Sequence, residues 1–306
     1  MIRSPLNYTG GKHKLLPQIL PFFPWDVGLF VDLFCGGCNV GLNAPGLRTV
    51  YNDKDANLMG LYNTFKAMDK SDVLKGVYEI IEAYGLSLVS RHGYARYGCN
   101  SSRGLSAYNK KGFFELRNDF NRKYTNGEKD AAAYLMLYVL IVYSFNNQIR
   151  FNAKGEFNLP VGKRDFNKSM EQKLLAFLET IQTRDCVFTC GDFRAFDFSS
   201  LSPHDFVYAD PPYLITCATY NEKGGWDETA ERDLLSLLDQ LHQKKIRFAL
   251  SNVLRSKGKE NDILLDWLRQ NAGRYTAIPL IYSYANSNYQ TKDRTSASEE
   301  VLIVNY

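Results

Sequence analysis

Long apolar runs are missing from this chain: the longest, residues 131–145, falls short of the roughly 20 residues that cross a bilayer and reads instead as a buried helix. Its first residues, Met1-Ile2-Arg3-Ser4-Pro5, form no apolar signal segment, so no export is expected. Cysteine is sparse. Six in 306 residues do not make a disulfide framework and fit a reducing cytoplasm. Cys35-Gly36-Gly37-Cys38 has the spacing of a redox or half-zinc motif, but neither a second CxxC nor paired histidines accompany it, and no metal is expected. Neither GxGxxG nor the P-loop GxxxxGK[ST] is present at the glycine turns, which argues against dinucleotide and ATP sites there. Internal repeats and low-complexity tracts are also absent.

What is present is a globular composition, 45% hydrophobic and 23% charged, enough for one large domain or one with a sizeable insertion. The net charge of +4 is unevenly spread. Between Arg91 and Arg164 there are 13 lysines and arginines against five acids, a surplus of +8 that leaves −4 for the remainder. Tyr94, Tyr97, Tyr108, Phe113, Phe114, Phe120 and Tyr124 are interleaved with that charge. Basic residues among aromatics suit a polyanion with stackable bases; a solvated basic face over a small aromatic core has the same composition.

Strand-like runs occur at 29–34, 49–52, 187–190, 206–209, 246–250, 275–282 and 301–305, and helix-like stretches at 56–68, 168–183, 228–244 and 260–271. Such alternation predicts an α/β fold with a mostly parallel, doubly wound sheet. A polar loop over 285–299, without a helix, predicts that the last two strands pair antiparallel at one edge. The alternation stops between about residues 63 and 165, which reads as a helical, loop-rich insertion. The expected division is therefore 1–62 with 166–306 as one domain and 63–165 as another.

Phe206-Val207-Tyr208-Ala209 runs into Asp210-Pro211-Pro212-Tyr213. That junction sets an acceptor carboxylate, a rigid turn and an aromatic face at a strand's carboxyl end, where α/β sheets bind ligands. Recognition of a flat, amine-bearing ring such as a nucleobase follows from this chemistry. A second strand, over residues 29–34, carries Asp32 and Phe34 into the Gly36-Gly37 turn, and the next strand ends in Asp53. An acid in that position accepts hydrogen bonds from ribose hydroxyls, although it also suits a helix N-terminus facing water. With no pyrophosphate cradle, a nucleoside cofactor without phosphates, S-adenosylmethionine, fits better. Asn7-Tyr8-Thr9-Gly10-Gly11-Lys12 is a further glycine turn whose lysine suits the carboxylate of a methionine-like group.

In this order, Asn7–Lys12, Asp32–Gly37, Asn52-Asp53, Asp210–Tyr213 and Glu300–Tyr306 resemble the Dam-type (D12 class) DNA adenine methyltransferases from end to end. The resemblance implies a Rossmann-like methyltransferase fold with a seven-stranded, mostly parallel sheet and an inserted helical DNA-recognition domain. It implies that Tyr8, Lys12, Asp53 and Asp210 line the S-adenosylmethionine site. Asp32, Phe34, Gly36 and Gly37 are expected beneath the cofactor, with Asp192 and Phe193 near its adenine. Residues 145–163 are similar to the family's DNA-reading hairpin, with Phe145 as the aromatic wedge. Asn7, Asn146, Gln148, Arg150, Asn152, Pro160 and Lys163 are the other candidate DNA contacts. Asn7 stands where Dam has a guanine-reading lysine, and Gln148 replaces an apolar residue, which leaves the recognition sequence open between GATC and another short site.

The implied reaction flips an adenine out of duplex DNA and stacks it on Tyr213, its amine donating to Asp210 and the Pro211 carbonyl. The implied enzyme works without a metal, as a monomer, in the cytoplasm of a bacterial or phage-infected cell. Three alternatives are amino methylation of cytosine N-4, whose tetrapeptide ordinarily begins with Ser, methylation of RNA or a protein glutamine, where Asn replaces the acid, and a non-catalytic DNA-binding module.

Overall fold

The structure, a computed structural model, describes residues 1–8, 10–216, 225–281 and 298–306, and of Arg103 the backbone alone. Thr9 of the first glycine turn, Tyr282 at the end of a predicted strand and residues 285–297 of the polar loop lie outside the described residues. The chain forms two compact units, Met1–Gly11 with Ala56–Arg184, and Lys12–Asp55 with Asp185–Tyr306.

In chain order the helices are α1 (Leu16–Ile19), α2 (Ala56–Ala67), α3 (Lys70–Ala83), α4 (Val89–His92), α5 (Leu105–Thr125), α6 (Ala131–Tyr143), α7 (Lys168–Thr183), α8 (Glu228–Gln243) and α9 (Asp262–Gln270). The strands are β1 (Leu29–Asp32), β2 (Arg48–Asp53), β3 (Asp185–Cys190), β4 (Phe206–Ala209), β5 (Arg247–Ser256), β6 (Lys259–Glu260), β7 (Thr276–Leu280) and β8 (Glu299–Val304).

The second unit is built on the sheet, in the order β3-β2-β1-β4-β5-β8-β7. The first five of these strands are parallel, and β8 is antiparallel to both β5 and β7. The chain moves outward from β1 to β2 and β3, then returns to β4 on β1's other side. That reversal makes the β1–β4 junction the switch point where such sheets open a crevice. Side chains alternate across the sheet as strand geometry requires. Val31, Val207, Phe248, Leu250 and Ile303 face α8 and α9, packing on Leu234, Leu238, Leu264 and Trp267. Phe30, Phe206, Tyr208, Ala249 and Leu302 face the opposite way, onto Leu15, Leu16 and Ile19 of the α1 region. With both faces covered, all four residues of β4 are buried, which is why it reads as a continuous apolar run.

Seven strands match the runs read from the sequence. The eighth, β6, was not predicted. It forms because Lys257 and Gly258 both take positive φ, 51° and 76°, the requirement of a two-residue hairpin turn that folds Lys259 back onto Ser256.

The first unit is helical, and its larger segment, Ala56–Arg184, is inserted in the chain between β2 and β3. Its centre is α6, with ten buried residues, capped by Asp130, whose side chain accepts from the Ala133 N–H at 2.9 Å. A helix apolar on all sides must be enclosed, and no helix among the described residues is long and apolar enough to cross a membrane. The unit's bounds differ from the division at 62/63 and 165/166. Here α2 and α7 pair through Tyr62 and Phe177, ring centroids 5.2 Å apart, and Phe65 meets Tyr138 of α6 at 5.4 Å. Gly112 lets α5 reach the chain beyond α3, since a Cβ there would lie 1.9 Å from the Tyr84 carbonyl oxygen.

Candidate active site

Three carboxylates gather at the carboxyl ends of neighbouring strands: Asp32 closes β1, Asp53 closes β2 and Asp210 follows β4. Asp53 is held from both sides. The Gly36 N–H donates to Oδ2 at 2.9 Å and the Asp55 N–H to Oδ1 at 3.0 Å, while burial pushes its carboxyl above the ordinary range. Gly36 has φ +44° and Cys38 +59°, so the turn after β1 is a left-handed loop folded over the Asp53 carboxylate. Asn52, 3% exposed, braces the same region. Its amide donates to the carbonyls of Leu33 and Gly191, both at 3.1 Å, and its Oδ1 accepts from the Thr189 hydroxyl at 3.0 Å. One side chain thus ties together the exits of β1 and β3.

Asp32 is 2% exposed and accepts the Gly41 N–H at 3.0 Å. Burial, with Asp210 and Asp53 adding like charge, pushes its carboxyl up to about 8. The folded protein therefore holds a proton there that the unfolded chain releases near the usual Asp value. Stability from that proton is fully present below the unfolded value and is lost as pH rises through about 8. Asp32→Asn is expected to remove a loss of ~1 kcal/mol per pH unit from urea unfolding between about pH 5 and 8; identical slopes in the two proteins would contradict it.

Asp210 sits in a compact ionic group. Lys12, 6% exposed, lies 2.8 Å from Asp210 Oδ1 and 3.6 Å from Glu300 Oε1. The Tyr213 hydroxyl reaches the same two oxygens, at 3.1 Å and 2.9 Å. Burial raises the Asp210 carboxyl above its ordinary value, and Lys12 and Tyr213 oppose that rise. The Tyr213 hydroxyl is pushed well up by burial and by the two carboxylates. These contacts converge on Oδ1. Pro211 is buried and Pro212 exposed, so the turn has one anchored side and one open side.

Phe34 and Phe193 meet at 5.4 Å, and Trp226 touches both at 5.6 Å. Trp226 was not singled out from the sequence. Its indole N–H donates to Glu231, which is fully buried and also accepts from Asn252 at 3.0 Å and Asn261 at 2.8 Å. Asp192 is turned elsewhere: its carboxylate accepts the Arg194 N–H at 3.0 Å and pairs with that guanidinium at 3.2 Å.

The remaining candidates belong to the helical unit. Tyr8 is 38% exposed. Residues 145–163 do form a hairpin, with bridges pairing Ser144 with Val161 and Phe151 with Phe157. Phe157 is buried among Phe120 and Phe151, and Asn121 of α5 bonds its N–H at 2.8 Å and its carbonyl at 3.0 Å. That anchorage leaves Phe145 49% exposed at the hairpin's base, with its N–H fixed to the Pro160 carbonyl at 2.8 Å. Asn146 and Asn147 follow with φ of 55° and 53°, a strained pair beside the exposed ring. Asn7 donates to the Asn147 side chain at 3.0 Å. Asn146, Gln148, Arg150, Pro160 and Lys163 are exposed. Arg150 leans on Asn158 at 2.7 Å, and Asn152 spends its amide on the turn, bonding Glu156 at 2.8 Å and the Lys154 N–H at 2.9 Å.

The mostly parallel sheet with its reversal between β1 and β4, and Asp-Pro-Pro-Tyr at the end of β4, define a Rossmann-like methyltransferase fold. The model of the D12 class N6 adenine-specific DNA methyltransferases matches residues 8–278, and the chain belongs to that family. It is 40% identical to the type II methyltransferase M.FokI of Planomicrobium okeanokoites over 311 aligned residues, which take in all of this chain and 43% of that protein. The modification methylase StsI of Streptococcus sanguinis matches with the same identity and coverage. The DNA adenine methylase of Salmonella typhi is 28% identical over 254 residues, 82% of this chain and 80% of that enzyme. The chain thus spans less than half the length of the first two relatives.

Proposed function

We propose that this chain is a site-specific DNA methyltransferase that moves a methyl group from S-adenosylmethionine to N-6 of an adenine flipped out of duplex DNA. The observation that carries this reading is Asp210 at the switch point of the sheet, with Lys12 and Tyr213 both held on its Oδ1. Residues present fit the cofactor. Asp53 retains lone pairs for ribose hydroxyls beyond its two N–H bonds, the Phe34–Phe193–Trp226 wall suits an adenine, and the Gly36-Gly37 turn admits close backbone approach. Lys12, Asp32 and Tyr8 complete the proposed cofactor set, with Asp192 serving through its turn.

S-adenosylmethionine, when bound, supplies an electrophilic sulfonium methyl. Asp210 Oδ2 and the Pro211 carbonyl accept hydrogen bonds from the adenine amine and draw its lone pair out of ring conjugation. Tyr213 provides the stacking face, and Pro212 stiffens the turn that presents it. Positioning and fixed electrostatics carry the rate, so Asp210 need not be a strong base; the amine's proton leaves after methylation.

Residues 63–165 serve as the target-recognition region in this reading, and 1–62 with 166–306 as the catalytic one. The helical unit as a whole has 20 lysines and arginines against 12 acids, which supports contact with duplex phosphates. Asn7, Asn146, Gln148, Arg150, Asn152, Pro160 and Lys163 are its proposed DNA contacts. Action as a monomer in the cytoplasm of a bacterial or phage-infected cell completes the proposal, and kinship with modification methylases supports a restriction–modification setting. Transfer of tritiated methyl to duplex DNA, but not to RNA or protein, tests it. Phe145 is assigned as the wedge that fills the vacated stack. Phe145→Ala is expected to lower 2-aminopurine fluorescence at the target at least about fivefold, in line with a lost unstacking partner worth ~1 kcal/mol or more; an unchanged signal removes the assignment.

A further inference from the structure

Glu300 has no role in the reading above, yet it is among the most deeply placed acids of the sheet unit, 4% exposed at the start of β8. Strand direction puts it there. Because β8 is antiparallel to β5, its first residues lie at the end where the parallel strands finish, with Glu300 opposite Val253 and Leu280. Alternation then separates two adjacent acids. Glu299 faces outward and pairs with Arg255 at 2.9 Å, while Glu300 points to Tyr213 at 2.9 Å and Lys12 at 3.6 Å.

Tyr213 has one hydroxyl proton and Lys12 one charge, and each stands between the same two carboxylates. Neither donor belongs wholly to Asp210, and the hydroxyl lies closer to Glu300. Held at its tip between two carboxylates, the Tyr213 ring is also fixed in orientation before any base arrives.

We propose that Glu300 is a positioning residue for methyl transfer: it draws part of the Lys12 and Tyr213 donors away from Asp210, so that Asp210 stays a strong acceptor toward the substrate amine, and it locks the Tyr213 platform. This inference rests on the methyltransferase reading. Among the described residues, the charged and titratable groups around Asp210 are Lys12, Asp32, Tyr208, Tyr213 and Glu300. Burial raises Glu300 itself above the usual carboxylate range. Removing the Glu300 charge takes away one like charge and strengthens the Lys12–Asp210 pairing, which lowers the Asp210 proton affinity and weakens it as an acceptor.

The test is steady-state methylation of duplex DNA by the whole chain carrying Glu300→Gln, beside Glu300→Asp. Glu300→Gln is expected to lower kcat about 10- to 100-fold, to leave KM for S-adenosylmethionine within about threefold, and to move the acid limb of kcat to lower pH. Glu300→Asp keeps the charge and shortens the reach, so kcat falls while the acid limb stays in place. An unchanged kcat in Glu300→Gln overturns the proposal. So does an unshifted acid limb in Glu300→Gln, or a shifted one in Glu300→Asp. If Glu300→Gln does not fold, the limb in Glu300→Asp decides alone. Absence of methylation by the unsubstituted chain would instead overturn the underlying reading.

Discussion

Asp210→Ala is expected to lower kcat for DNA methylation by roughly 10³-fold or more, the scale seen when a fixed transition-state partner is removed. The reason is local. Among the three strand-end acids, Asp210 is the one whose carboxylate pairs with a lysine within 3 Å in the described structure. Removing it leaves Lys12 and Tyr213 to Glu300, so both donors remain satisfied and the surrounding fold has no buried unpaired charge. Affinities for S-adenosylmethionine and DNA should therefore stay within about tenfold. Single-turnover methylation together with equilibrium binding separates these quantities. Turnover retained in the alanine protein would remove Asp210 from the chemistry, and binding lost in parallel with turnover would make it a structural residue.

The second large effect is expected on binding. Asp53→Ala should weaken S-adenosylmethionine about 100-fold, because the lost carboxylate takes with it the proposed bonds to ribose hydroxyls, together worth roughly 3 kcal/mol. It also releases Gly36, whose N–H is held at 2.9 Å, and with it the left-handed turn after β1. Asn at this position is not a substitute, since its amide presents a donor where Gly36 or Asp55 already presents one. Calorimetric titration reads the dissociation constant directly. A value within about twofold of the unsubstituted chain would return Asp53 to the role of a turn-forming acid.

Much of the sheet was legible because its strands are runs of aromatic and β-branched residues between turn signals, as at Leu29–Asp32 and Phe206–Ala209. Periodicity does not say which unit a helix joins, so α2 and α7 are grouped by aromatic contacts that no local pattern reveals. β6 is two residues long and depends on the positive φ of Lys257, a conformation most residues avoid.

Asp53 and Asp210 were legible at strand ends as well, because each directly closes a short strand-like run. Partners distant in sequence were not. Glu300 lies 87 residues from Tyr213, and beside Glu299 nothing in the sequence marks which of two acids faces inward. Asn52 bridges carbonyls 19 and 139 residues away, and Trp226 is placed by a buried glutamate five residues on. In the hairpin, the resemblance to the family suggested Arg150 and Asn152 as contacts with DNA. The structure adds that Asn152 already uses its amide to shape the turn, which leaves Phe145, Gln148, Pro160 and Lys163 as the more open surface.

One measurement tests the central claim most directly. Unmethylated plasmid DNA, incubated with the chain and S-adenosylmethionine, is read by single-molecule sequencing for both modified base and surrounding site. The expected result is N-6 methyladenine at a single short recurring sequence, absent when the Asp210→Ala protein is used. Modification of cytosine at N-4, or no modified base at all, would contradict it.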